Sequence, residues 1–149
     1  MAHVEKSTEV DVPVRVAYNQ WTQFEEFPRF MEGVVTVAQV SDQRLHWVAE
    51  VGGRQKEWDA VIVEQVPDDH IAWRSESGTR NDGLVSFEPL GPNRTRVNVQ
   101  IDYEPEDATE QVGDWLGFVT RRVGGDVERF KEFIESRGSE TGAWRGTIR

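Results

Sequence analysis

Nucleophilic catalysis requires a base within hydrogen-bond reach of a serine, threonine or cysteine. The chain has no cysteine and three histidines. His3 lies at the start of the chain, His46 is out of phase with the neighbouring Trp47, and His70 follows Pro67-Asp68-Asp69 in a turn. None is placed to activate a hydroxyl. Asp68-Asp69-His70 has the residue types of a metal site, but consecutive side chains rarely converge on one ion, and no zinc, calcium or phosphate-loop spacing occurs. Neither a metal nor a cofactor is expected. General acid–base chemistry at a carbonyl compound asks for less: a shaped cavity, a hydroxyl or carboxylate as acid and base, and a cation facing a developing enolate. Ser75 and Tyr103 are the polar side chains that can face such a cavity, whereas Arg74 points away from it. Tyr103 is equally a strand-end residue whose ring packs and whose hydroxyl meets water, and no catalytic residue is assigned.

The elements that must position these groups follow from periodicity. Val4–Val12 reads as a first strand, and Pro13 opens a helix in which Val14, Ala17, Tyr18 and Trp21 share one face. A second short helix, Phe24 to Met31, is interrupted by Pro28 and carries Phe24, Phe27, Phe30 and Met31. From Val34 to Glu104 the period is two. Strands are expected at Val34–Val40, Leu45–Val51, Lys56–Val66, His70–Ser77, Gly83–Leu90 and Thr95–Tyr103, with turns at Ser41-Asp42, Gly52-Gly53, Pro67-Asp68-Asp69, Asn81-Asp82-Gly83 and Gly91-Pro92-Asn93. Turns this short make successive strands antiparallel. A long helix closes the chain from Ala108 to Arg137. Its stripe is Val112, Leu116, Val119, Val123, Val127, Phe130 and Ile134, with Asp107 or Thr109 at its start and Gly138 at its end.

Turn length sets which side chains share a face. A two-residue loop at Gly52-Gly53 pairs Val51 with Arg54 and Trp47 with Trp58, and a four-residue loop pairs Ala49 with Trp58; either puts both indoles on one side. A three-residue loop at Gly91-Pro92-Asn93 pairs Leu90 with Arg94, Phe87 with Val97 and Val85 with Val99, leaving Glu88 opposite Arg96 outside. The inner face then collects Trp47, Trp58, Trp73, Phe87 and Tyr103 beside the small Ala49, Ala60 and Ser75. On the covering helix, Leu116 and Thr120 are the candidate contacts. Gly113, Gly117, Thr120 and Gly124 form a band next to the apolar stripe, pointing to close approach by a backbone or ligand, to a bend near Gly124-Gly125, or to chance.

This order of strand, two short helices, six strands and a long helix resembles the helix-grip fold of the SRPBCC superfamily, which includes START lipid-transfer domains and the polyketide cyclase/dehydrase group. Ala17-Tyr18-Asn19-Gln20-Trp21-Thr22-Gln23-Phe24-Glu25-Glu26-Phe27-Pro28-Arg29-Phe30-Met31 is similar to that family's helix pair. Leu45-His46-Trp47, Glu57-Trp58-Asp59-Ala60 and Ile71-Ala72-Trp73-Arg74-Ser75 resemble its bacterial cyclase/dehydrase members. The resemblance spans Val4 to about Arg137. It implies an α+β domain over residues 1–138 with a polar tail at 139–149, and a cavity between sheet and long helix for lipids, sterols, quinones or polyketides. Only some members of the superfamily are enzymes.

With 17 Lys and Arg against 27 Asp and Glu, the formal charge of −10 repels phosphate backbones and anionic lipid, so neither nucleic acid nor membrane insertion is expected. The start MAHVEKSTEVDV has no apolar signal segment, and a cytoplasmic protein is expected. The leading expectation is a protein that binds a hydrophobic small molecule without chemistry of its own. Trp47, Trp58, Trp73, Phe87 and Tyr103 supply its walls, Ser75 or the Tyr103 hydroxyl an anchor, and Phe30 and Met31 the mouth. The alternatives are a polyketide aromatase/cyclase or dehydratase, and an interaction or stress-related module with a closed core and an acidic face for a basic partner. Trp144 in the tail docks on the body or on a second subunit of a homodimer.

Overall fold

Seven strands form one curled antiparallel sheet in the order β1-β7-β6-β5-β4-β3-β2, so every neighbour but β1–β7 is also a neighbour in sequence. The computed structural model describes residues 2–51, 53–78, 80–104 and 112–149, with residues 2, 51, 78 and 112–117 by backbone alone. The expected caps Asp107 and Thr109 and the expected helix start at Ala108 lie outside the described residues.

β1 (Ala2–Val10) pairs along β7 (Arg94–Glu104), which buries Val4, Thr8 and Val10 and leaves Glu5 and Ser7 outside. It begins and ends two residues earlier than the sequence pattern suggests, because Val12 already serves the turn into α1: its carbonyl accepts the buried Thr95 hydroxyl at 2.9 Å. Pro13 occupies the N-cap of α1 (Val14–Trp21), and its carbonyl accepts from Val16 and Ala17. Phe24–Arg29 is a 3₁₀ helix that includes Pro28. It delivers Phe27 and Phe30 into an edge-to-face cluster with Trp21 and Phe130, with ring centroids 5.2–5.9 Å apart.

β2 (Val34–Gln39), β3 (Arg44–Val51) and β4 (Arg54–Val66) follow as consecutive hairpins. Val51 pairs with Arg54 and Trp47 with Trp58, which is the two-residue form of the glycine loop. β6 (Arg80–Gly91) meets β7 with Val85 opposite Val99, Phe87 opposite Val97 and Glu88 opposite Arg96. The turn itself differs from expectation. Gly91 pairs with Arg94 across Pro92-Asn93, and a bulge at Leu90 restores the register further along.

The larger difference lies between β5 (His70–Gly78) and β6. Asn81, Asp82 and Gly83 are not a turn; they are strand residues paired with Tyr103, Asp102 and Ile101. Among the described residues β5 and β6 share main-chain pairing from His70–Ser86 to Trp73–Gly83. Beyond that point side chains bridge the gap. Asp82 Oδ1 accepts from the Ser75 amide at 3.0 Å, and Ser75 Oγ accepts from the Asn81 amide at 3.1 Å. Asn and Asp, read as turn formers, here substitute for a missing ladder.

α2 (Val112–Arg137) lies against β1 and across the mouth of the curl, burying Val119, Val123, Val127, Phe130 and Ile134. Gly138, at φ +73°, ends it by donating to the Ile134 carbonyl at 2.9 Å. Gly124 faces β1, where a Cβ would lie 3.6 Å from Lys6 Cε, so this glycine accommodates a neighbouring side chain and not the cavity. Among the described residues no helix is long and apolar enough to cross a membrane.

The segment 139–149 runs back over α1. Its Thr141 exchanges two hydrogen bonds with the fully buried Gln20, Arg145 pairs with Asp68 at 2.8 Å and bonds Asn19 at 2.6 Å, and Ile148 bridges to Gln65. Asn19, Gln20 and Thr22 are polar yet buried on α1 because this segment covers them. A chain ending at Gly138 is expected to lose roughly 2–4 kcal/mol in urea unfolding, from the lost hydrogen bonds and from exposure of the surface that Ile148 and Trp144 cover. Unchanged stability contradicts this packing.

Candidate functional site

Period-two alternation sends Leu45, Trp47 and Ala49 of β3 and Trp58, Ala60 and Ile62 of β4 to the inner face. Opposite positions bring Trp47 onto Trp58, stacked with centroids 5.6 Å apart and planes 9° from parallel. Phe27 leans on Trp47 at 5.6 Å and 45°. Trp73 packs against Gly83, where a Cβ would come within 2.2 Å of its ring. The large rings are thus pinned at one end of the sheet beside small residues, and α2 covers them with Val119, Val123 and Val127. A cavity of about 130 Å³ remains between.

Trp21, Phe24 and Phe27 close its inner end, Tyr103 and Asn81 stand on the β6–β7 side, and Met31, Glu32 and Gly33 border it next to α2. The indole N–H groups of Trp21 and Trp47 are buried without a hydrogen-bond acceptor among the described residues, consistent with their aromatic neighbours. Polar groups gather at the α2 border. Arg122 stacks on Phe118 at 4.9 Å and donates to the carbonyls of Glu32 (2.7 Å) and Glu50 (3.3 Å). Asp126 Oδ1 accepts from the Glu32 amide at 3.2 Å and from Arg129 at 2.6 Å.

Of the residues singled out from sequence, Trp47, Trp58, Trp73, Tyr103 and Met31 line this cavity together. Phe87 faces inward as expected, but at the end of the sheet covered by α1, where it packs edge-to-face on Tyr18 at 5.5 Å. Phe30 is only 2% exposed, held between Trp21, Phe130 and Phe133 and away from the mouth. Ser75 spends its hydroxyl on the β5–β6 bridge, Thr120 is half-buried on α2 outside the lining, and the Leu116 side chain is outside the described residues. Sequence reasoning missed Asp126 and Arg122. Their signal was available: both flank the Val119-Val123-Val127 stripe at helical spacing, so both border whatever that stripe covers.

The histidines stay outside. His46 lies on the outer face with Asp59 at 2.7 Å and Glu57 at 3.1 Å, and these hydrogen bonds raise its pKa. His70 sits between Asp69 and Glu64 on the opposite side of the sheet from the cavity. Among the described residues no group of three or more His, Asp or Glu is arranged to hold a metal ion.

Burial pushes the Asp126 carboxyl up to about 6, against the opposing pull of Arg129, Arg122 and the Glu32 amide. Its folded pKa exceeds the ordinary value of 3.8, so the folded state holds the proton more tightly between about pH 4 and 6. Stability therefore falls as pH rises through that window. In unfolding titrations, wild type should lose roughly 2–3 kcal/mol relative to Asp126→Asn between pH 4 and pH 7. A difference independent of pH contradicts the burial of this carboxylate.

An uncharacterised 17.2 kDa protein of Streptomyces lincolnensis, from the melC2–rnhH intergenic region, is 53% identical over 149 residues, spanning 99% of both chains. The Zhui aromatase/cyclase from a Streptomyces species superposes with a TM-score of 0.77 at 16% identity, covering 95% of this chain and 98% of that one. A START superfamily protein from Mycobacterium smegmatis gives 0.71 at 19% identity, over 92% and 97% of the two chains. At these identities the two solved structures share the fold, and the fold is the helix grip. The model of polyketide cyclase/dehydrase and lipid transport proteins matches residues 10–132, from the end of β1 into the last turns of α2. The cavity, its aromatic wall and the part of α2 that covers it fall inside that span, and the chain belongs to the polyketide cyclase/dehydrase and lipid transport family.

Proposed function

We propose that the protein binds a hydrophobic small molecule in the aromatic cavity and carries out no reaction on it. The observation that carries this reading is the unfilled space itself. Protein interiors pack to crystal-like density, and a void lined by Trp47, Trp58, Trp73 and Val123 forfeits contacts that a ligand restores. The wall is almost wholly carbon, so the return comes from burial of apolar surface. Membership of a family associated with cyclases and lipid transport supports a hydrophobic ligand and is neutral on catalysis.

A second reading, a cyclase or dehydratase, has one observation in its favour. Asp126 and Tyr103 both border the cavity, and a carboxyl near 6 can exchange a proton at neutral pH. In a dehydration it would take the proton α to a ketone and pass it to the departing β-hydroxyl, so that the C–O bond breaks, a C=C bond forms and water leaves. Against it, Asp126 is already committed to the Glu32 amide and Arg129, contacts that give it a structural task.

Saturable quenching of tryptophan fluorescence by 1,4-naphthoquinone tests the first reading. Ala49 is buried and lines the cavity. Ala49→Leu should fill the space and weaken binding by about tenfold or more, with the fold retained by circular dichroism. Equal affinity in the two proteins contradicts the site.

A further inference from the structure

The size of the cavity discriminates among ligands more sharply than its polarity does. About 130 Å³ is close to the roughly 150 Å³ of an apolar cavity that accepts benzene. It is well below the roughly 300–1,000 Å³ of pockets that enclose drug-sized ligands.

The walls resist stretching. At the inner end Trp21 interlocks with Phe27 and Phe130, both at 5.3 Å. At the side, the Trp47–Trp58 stack is backed by Phe27, and Trp73 is pressed against the backbone of Gly83. The border at residues 30–33 is fixed to α2 by a chain of charged hydrogen bonds. Arg129 Nε donates to the Phe30 carbonyl at 3.0 Å, and Arg129 Nη1 approaches the Glu32 carboxylate at 3.4 Å. Arg122 holds the carbonyls of Glu32 and Glu50, and Asp126 holds the Glu32 amide. Gly33 completes the latch. It sits at φ +88°, and a Cβ there would fall 1.7 Å from Arg122 Nη1, so the guanidinium occupies the place of a side chain. A long or multi-ring ligand would have to lift residues 30–33 and break these bonds together.

We propose that, within the ligand-binding reading above, the cavity takes a planar molecule of one or two fused rings and excludes larger polycycles and long acyl chains, and that the latch of Arg122, Asp126 and Arg129 on residues 30–33 sets this limit.

Isothermal titration calorimetry with indole, 2-naphthol, a trihydroxyanthraquinone and palmitate tests it. Wild type should bind the first two and bind the anthraquinone and palmitate weaker by at least about tenfold. Arg122→Met removes the latch's donor, and Gly33→Ala displaces it. In either variant the ratio of anthraquinone affinity to indole affinity should rise about tenfold. If Arg122→Met does not fold, Gly33→Ala and Arg129→Met carry the comparison. Wild-type binding of the anthraquinone or palmitate as tight as that of indole overturns the size limit and leaves the ligand-binding reading standing. Folded latch variants with wild-type selectivity overturn the role of the latch. Absence of heat with all four compounds overturns the proposal together with the reading beneath it.

Discussion

Valine is too short to cross the space between α2 and the tryptophans of the sheet. Val119, Val123 and Val127 cover the wide end of the curl, whereas one turn further Phe130 reaches down to Trp21 and Phe30 and fills it. The same helix therefore seals the core at one end and leaves a hollow at the other, and the difference lies in side-chain length along one stripe. The sheet contributes the complementary half: Ala49 and Ala60 withdraw from the space that Trp47 and Trp58 frame. The proposed function depends on that mismatch between a short-chained roof and a ringed wall.

The charged groups around the hollow hold its shape. Arg122 and Arg129 end on backbone carbonyls, and Asp126 ends on a backbone amide, so α2 grips the backbone between the 3₁₀ helix and β2, with the Glu32 carboxylate beside Arg129 as a further contact. The grip requires glycine at position 33, because the Arg122 guanidinium fills the volume of a side chain there. Asp126 keeps its proton more readily than an exposed carboxylate because it is buried for this purpose. A polar border made of satisfied groups also explains how an apolar cavity can reach the surface without exposing a large greasy patch.

The strands of the sheet and the pairing of Trp47 with Trp58 were legible because both follow from local rules: alternation at period two, and a two-glycine loop that fixes register. The bulge at Leu90 shows how such a reading can misplace a turn and still keep Phe87 opposite Val97, since the bulge offsets the shorter loop. Two kinds of feature escaped. Asn81-Asp82-Gly83 has turn composition, yet pairing with β7 holds it in a strand while its side chains bridge to β5. Phe87 and Phe30 have the right chemistry and face, but which end of the sheet each helix covers is set by contacts between residues far apart in sequence, such as Tyr18 on Phe87 and Phe30 on Phe130. The latch belongs to the same class, joining residues about ninety positions apart. The buried polar face of α1 points to a covering partner, and the segment 139–149 supplies it.

The hollow can be observed without knowing the ligand. A rigid apolar cavity of this size stays dry and takes up xenon. Diffraction from a xenon-pressurised crystal should show a single strong site ringed by Trp47, Trp58 and Val123. A map with no xenon there, and the indoles packed directly against the valines of α2, contradicts the account at its root.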